Sequence, residues 1–124
     1  MGRVIHVDNS GFFRRLFRHF LATRDIDSED FDRGSQAFES IGRGGVPLII
    51  TGMFLVDMTG LDLIKQLTAS PYRNIPIITL SSNTAPDMQQ ALHDLGVTAQ
   101  LSKYGPWREE VIPYLDKYIS LSRR

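Results

Sequence analysis

The chain contains no cysteine, which excludes disulfide frameworks, zinc–thiolate centres and thiol catalysis. It also has no surplus of either charge: 14 Lys and Arg balance 14 Asp and Glu, and the pI is near 6.8. A chain without a net field has no general attraction for nucleic acid or anionic lipid. Its longest apolar runs stop far short of the ~20 residues that a membrane span requires. The N-terminus lacks the basic stretch, apolar segment and small-residue cleavage site of a leader peptide. These absences predict a cytoplasmic protein whose partner is another protein, not nucleic acid and not a membrane. There is no G-x-S-x-G elbow or comparable nucleophile–base set, so the chain is not expected to be an enzyme. No linker, repeat or low-complexity stretch divides its 124 residues, which therefore read as one domain over 1–124, long enough to bury roughly two thirds of the surface its unfolded form exposes.

What is present is an alternation of two periods. Val4-Ile5-His6-Val7 is a short, almost wholly apolar run ended by Asp8-Asn9-Ser10, the pattern of a strand buried on both faces. Phe13, Leu16, Phe17, Phe20 and Leu21 then recur at helical spacing, with Ser10 as the cap and with Arg14, Arg15 and Arg18 off the apolar stripe. The stretch 25–33 is polar, and a strand within it must be short and near an edge. Ala37, Phe38 and Ile41 mark a helix. The breaker Gly42-Arg43-Gly44-Gly45 leads into a buried strand, Pro47-Leu48-Ile49-Ile50-Thr51, which Gly52 ends. Leu61, Leu63, Ile64 and Leu67 mark a third helix, and Ile77-Ile78-Thr79-Leu80 a further buried strand. Thr84 with Asp87 is a capping pattern that opens a helix through Met88, Ala91, Leu92 and Leu95, closed at Gly96. Residues 97–102 form the last strand. A final helix starting at Pro106 keeps Trp107, Val111, Tyr114, Leu115 and Tyr118 on one side, with Pro113 removing one backbone bond.

Strands apolar on both faces, separated by amphipathic helices, call for a parallel sheet covered on both sides. The expected fold class is α/β, a doubly wound five-stranded parallel sheet of flavodoxin-like order 2-1-3-4-5, whose ligand crevice lies beyond the carboxyl ends of its strands. The residues at those ends are Asp8 and Asn9, Thr51 and Gly52, Ser81 with Ser82 and Asn83, and Ser102 with Lys103.

Val7-Asp8-Asn9-Ser10 with Arg14-Arg15 downstream, Gly60 after the third-strand loop, and Ser81 and Lys103 closing the last two strands resemble the receiver domain of two-component response regulators, the CheY-like fold. The resemblance covers nearly the whole chain. It implies a bacterial-type signalling module in which two acids after the first strand hold Mg²⁺, an aspartate after the third accepts a phosphoryl group, a Thr or Ser after the fourth follows that group, and a Lys after the fifth is followed by proline. Carried over residue by residue, Asp8 is retained and Asn9 replaces the second acid. The acceptor position, eight residues before Gly60, falls on Gly52. Ser81 and Lys103 match, Tyr104 replaces the proline, and Gln100 stands where an aromatic is expected.

Those departures have chemical consequences. The acceptor carboxylate is the nucleophile and a metal ligand, so a glycine removes the covalent step. With Asp8 as the one formal anion, Mg²⁺ loses the hard anionic oxygens it prefers, and binding is expected to be weak or absent. The crevice is then a degenerate phosphorylation pocket made of Asp8, Asn9, Gly52, Ser81 and Lys103, with no metal and no other cofactor. Asp8 is expected to pair with Lys103, Met53 or water to fill the space at Gly52, and the Tyr104 peptide to be trans. Asp57, in the same loop, is the one displaced candidate acceptor and is expected to face solvent. His6 reads as a core residue, and His19 and His93 as solvated.

The leading expectation is a pseudo-receiver acting through phosphorylation-independent association with a sensor, an output domain or a second copy, possible homodimer included. Two surfaces are candidates. One is Phe12 with Arg14, Arg15 and Arg18 on the first helix. The other is the face near the last strand, bordered by Met88, Gln100, Tyr104, Trp107 and Tyr114, with Trp107 and Tyr114 more typical of core. The alternative is a small-molecule or anion sensor in which an anion occupies the space above Gly52 and contacts Lys103, Ser81 and Asp8.

Overall fold

The computed structural model describes residues 2–82 and 85–122. Its elements alternate along the chain: β1 (Val4–Val7), α1 (Gly11–Ala22), β2 (Ser28–Phe31), α2 (Gly34–Gly42), β3 (Ile49–Thr51), α3 (Gly60–Thr68), β4 (Ile77–Ser81), α4 (Pro86–Asp94), β5 (Ala99–Ser102) and α5 (Trp107–Ser122). All strand pairs are parallel and the order is β2-β1-β3-β4-β5, as the alternation of periods predicts.

The sheet separates two cores because successive side chains of a strand face opposite sides. Val4, Leu48, Ile50, Ile78 and Leu80 pack with Phe13, Phe17 and Leu21 of α1 and with Trp107, Val111 and Leu115 of α5. Ile5, Val7, Ile49 and Ile77 pack on the other side with Ala37 and Ile41 of α2, Leu63, Ile64 and Leu67 of α3, and Leu92 of α4. The polar strand β2 is the sheet edge, paired only with β1, where its Ser-Glu-Asp sequence is tolerated.

Local chemistry sets the helix ends. Ser10 accepts the Phe13 N–H and caps α1, and Thr59 with Asp62 forms a reciprocal capping box at α3. Gly96 follows α4 at φ 83°, the left-handed position at which glycine carries no Cβ penalty. One capping expectation is corrected: the N-cap of α4 is Ala85, with Pro86 in the first turn. The fixed φ of proline suits a first helical position and sets the start there. Thr84 lies outside the described residues, as does Asn83. Among the described residues no helix is long and apolar enough to cross a membrane.

Candidate functional site

The carboxyl ends of β1, β3, β4 and β5 open into a crevice of about 240 Å³ lined by Asp8, Asn9, Gly52, Met53, Phe54, Ser81, Ser82 and Lys103. The sheet brings these residues together through its own ladder, continued one residue past each strand. Gly52 N–H donates to Val7 O at 2.8 Å, Asp8 N–H to Phe31 O at 2.9 Å, and Lys103 N–H to Ser81 O at 2.8 Å. All five pocket residues expected from the sequence, Asp8, Asn9, Gly52, Ser81 and Lys103, line this one space.

Its central feature is an ion pair. Lys103 Nζ lies 2.7 Å from Asp8 Oδ2, with the two side chains 20% and 2% exposed, as the sequence predicts. Among the described residues Oδ2 has no hydrogen-bond donor, so its contact with the ammonium is counted as Coulombic. Oδ1 accepts the Ser10 N–H at 2.9 Å, which fixes the carboxylate in an Asx turn. The Lys103 ammonium also stands 4.4 Å from the centre of the Phe13 ring, a cation–π distance.

Asp8, rather than Met53, reaches over Gly52. A Cβ built on Gly52 would stand 3.0 Å from Asp8 Oδ2 and 3.4 Å from its Cγ, whereas Met53 is a buried wall of the crevice. The loop after β3 is folded tightly beside it. Gly60 N–H donates to Met53 O at 2.8 Å, and a Cβ on Gly60 would fall 2.1 Å from Gly52 O. Only glycine fits that approach.

Asp57 has a role that the sequence reading did not supply. Its carboxylate is exposed, as expected, and it is also engaged: Oδ1 accepts the Gly34 N–H at 2.7 Å, and Oδ2 accepts the Ser35 hydroxyl at 2.6 Å and the Ser35 N–H at 3.2 Å. It caps α2 from another loop, where the residue preceding that helix, Arg33, offers no side-chain cap. The Ser35 hydroxyl, followed by the backbone donors, holds its carboxyl below the usual range.

His6 is a core residue, as expected, but among the described residues neither ring nitrogen has a hydrogen-bond partner. The ring packs on Phe17 at 4.6 Å and Phe13 at 5.9 Å between centroids. Burial, then the charges of Lys103 and Arg14, push its pKa down from 6.5 to about 3, so it is neutral. His19 and His93 are exposed.

The expected interface residues divide. Phe12, Arg15 and Tyr104 are exposed. Arg14 is half-buried, donates to Asp8 O at 2.8 Å and pairs with Asp30, which also takes Arg18 at 2.8 Å. Gln100 is exposed and its amide donates to Gln89 O at 2.9 Å. Met88 is half-buried against the second core. Trp107 is corrected: it is 4% exposed, with Phe13, Phe17 and Phe20 all 5.4 Å from its ring centre. It is the hub of the first core and not a contact surface, because the first turn of α5 turns it inward. Among the described residues there is no cis peptide, and Tyr104 follows Lys103 in the trans form.

A doubly wound sheet with a carboxylate, serine hydroxyls and a lysine converging at its carboxyl edge defines a class of signal-receiving domain. The chain belongs to the response regulator receiver domain family, which matches residues 4–112. Among curated relatives, the rice two-component response regulator ORR7 is 32% identical over 85 residues, covering 67% of this chain and 40% of that protein. The regulatory protein LuxO of Vibrio cholerae is 33% identical over 82 residues, 65% of this chain and 18% of that one. The chain thus spans less than half the length of either relative. Among solved structures, a response regulator receiver protein from Pseudomonas putida superposes with a TM-score of 0.87 at 26% identity, covering 94% of this chain and 96% of that one. The chemotaxis protein CheY4 of Vibrio cholerae gives 0.82 at 26% identity, with 95% and 98% covered.

Proposed function

We propose that this chain is a receiver domain that signals without aspartyl phosphorylation, by phosphorylation-independent contact with a protein partner in the cytoplasm, and that it is not an enzyme. Gly52 stands at the acceptor position and has no side chain with which to attack phosphorus. Asp57 does not substitute for it, since both its oxygens are committed to the start of α2.

The remaining residues do not fit Mg²⁺. Among the described residues Asp8 is the one carboxylate lining the crevice, and its oxygens are engaged by Ser10 and Lys103. Asn9 adds a neutral amide, and octahedral Mg²⁺ wants hard anionic oxygens. Without that charge, phosphoryl transfer loses several kcal/mol of transition-state stabilisation.

The observation that carries this reading is the Asp8–Lys103 pair lying over Gly52: the lysine has its counter-ion within the chain, so the crevice is balanced with neither metal nor phosphate. The same pair weighs against the anion-sensing alternative, because an entering anion would meet a lysine already neutralised and a carboxylate beside it. The test is a titration with Mg²⁺ and beryllofluoride followed by two-dimensional NMR at the amides of Asp8, Ser10, Gly52, Met53, Phe54, Ser82 and Lys103. No movement at millimolar ligand is expected. Saturable shifts centred on these amides contradict the reading, and the same shifts with inorganic phosphate alone support the sensor instead.

A further inference from the structure

We propose that the mouth of the crevice is a docking surface for a protein segment that carries apolar side chains beside acidic ones; this rests on the reading that the crevice edge does not serve phosphoryl transfer. Among the described residues the exposed large hydrophobics are Phe12 (71%), Phe54 (68%), Val56 (50%) and Tyr104 (85%), and all four belong to the carboxyl edge of the sheet. Phe54 lines the crevice and Tyr104 directly follows its lysine. Phe12 lies in the first turn of α1, three residues after Asn9. Val56 continues the Phe54 loop. Exposed apolar side chains scattered singly need no explanation, but their confinement to one edge does.

The part of this edge that carries Phe54 and Val56 is held in place before anything binds. The loop carrying Phe54 and Val56 is closed by Leu55 N–H to Met58 O at 3.0 Å and Gly60 N–H to Met53 O at 2.8 Å, and tied to the preceding loop by Val56 N–H to Asp32 O at 2.9 Å. Asp57 fastens it to the start of α2. A surface fixed in this way costs little further ordering on association.

Charge selects the occupant. Terminal nitrogens of Arg14 and Arg15 each lie 3.5 Å from where a Cβ of Gly11 would stand, so both guanidinium groups fold over the first turn of α1, beside Phe12. Arg14 and Arg18 share the single carboxylate of Asp30. Arg15 has no ion-pair partner among the described residues, and the first turn of α1 contains no acid to offset the positive end of its dipole. Aromatics beside arginine are the composition of interface anchors, and the surplus positive charge calls for carboxylates on the partner. Asp32 and Asp57 flank Val56, so the positive charge lies at the Phe12 end of the edge and the partner's carboxylates belong there. A continuous phosphate backbone crossing the edge would meet both acids, whereas a peptide with its carboxylates at one end does not.

A phage-displayed library of random linear peptides panned on the full chain tests this, with a random single-stranded oligonucleotide as a second probe. Enriched peptides should combine large apolar residues with Asp or Glu. Their binding should weaken roughly tenfold or more in F12A/F54A/Y104A, weaken in R15E, and fall with added salt. These side chains are exposed, and circular dichroism checks that the variants stay folded. The proposal is overturned by no enrichment, by enriched peptides without carboxylates, by binding that survives the triple variant, by oligonucleotide competing at the same residues, or by a homodimer in sedimentation that the triple variant dissolves. The beryllofluoride titration is independent of these outcomes: peptides mapping elsewhere on a chain blind to the mimic remove the docking surface and leave the phosphorylation-independent reading standing.

Discussion

Lys103 Nζ lies 2.7 Å from Asp8 Oδ2, and that oxygen stands 3.0 Å from where a side chain on Gly52 would begin. A single carboxylate thus serves the lysine from β1 and covers the position at the end of β3. The pair is almost enclosed, so breaking it on one side leaves a charge without a partner and removing both sides does not. Lys103→Ala should cost about 3 kcal/mol in urea unfolding, and the double variant D8N/K103M should recover most of that loss. Equal destabilisation in the single and double variants would show that the pair contributes packing and not charge balance.

His6 gives the fold a pH dependence. Its imidazole is neutral in the folded chain down to about pH 3 and takes a proton near 6.5 when unfolded. Between those values the unfolded chain binds more protons, so stability falls as pH falls, by at most about 1.4 kcal/mol per unit. His6→Leu should abolish this slope above the carboxylate range. It should also raise stability at neutral pH by about 1 kcal/mol, since two unpaired buried nitrogens disappear. Chemical denaturation at several pH values measures both effects.

Asp57→Ala removes the cap of α2 and should cost about 1 kcal/mol, with hydrogen exchange accelerated at Gly34 and Ser35. The crevice amides should not change. A loss confined to the loop after β3, with α2 unaffected, would contradict the capping role.

Gly60→Ala should be among the most damaging single-methyl additions, at least about 2 kcal/mol, because the Cβ would meet the Gly52 carbonyl at 2.1 Å and that carbonyl belongs to backbone that cannot turn aside. Thermal unfolding reads it directly.

The strands buried on both faces were legible because an apolar run flanked by breakers has few other uses: Val4–Val7, Ile49–Thr51 and Ile77–Ser81 all lie within or beside the expected runs. β2 was barely legible, since an edge strand of Ser-Glu-Asp-Phe carries no periodic signal and is defined by its pairing with β1. The convergence of Asp8, Gly52, Ser81 and Lys103 follows from strand order alone, which is why the sequence located the crevice. Its interior did not follow. The lean of Asp8 over Gly52 is a rotamer choice made by its partners, and the capping of α2 by Asp57 joins residues 23 positions apart. The spacing of Thr84 to Asp87 suggests a helix start one residue earlier than the one found, which is set by Ala85 and Pro86. Trp107 had the right spacing for either core or surface, and the three phenylalanines of α1 around it decide for core.

The central claim is that this receiver does not take a phosphoryl group, and intact-mass spectrometry after incubation with acetyl phosphate and Mg²⁺ tests it most directly. The wild-type chain and D57N should show no covalent addition, while N9D/G52D, which supplies carboxylates at both positions, should gain one phosphoryl group. Addition of a phosphoryl group to the wild-type chain, lost in D57N or in any other single carboxylate variant, would contradict the account.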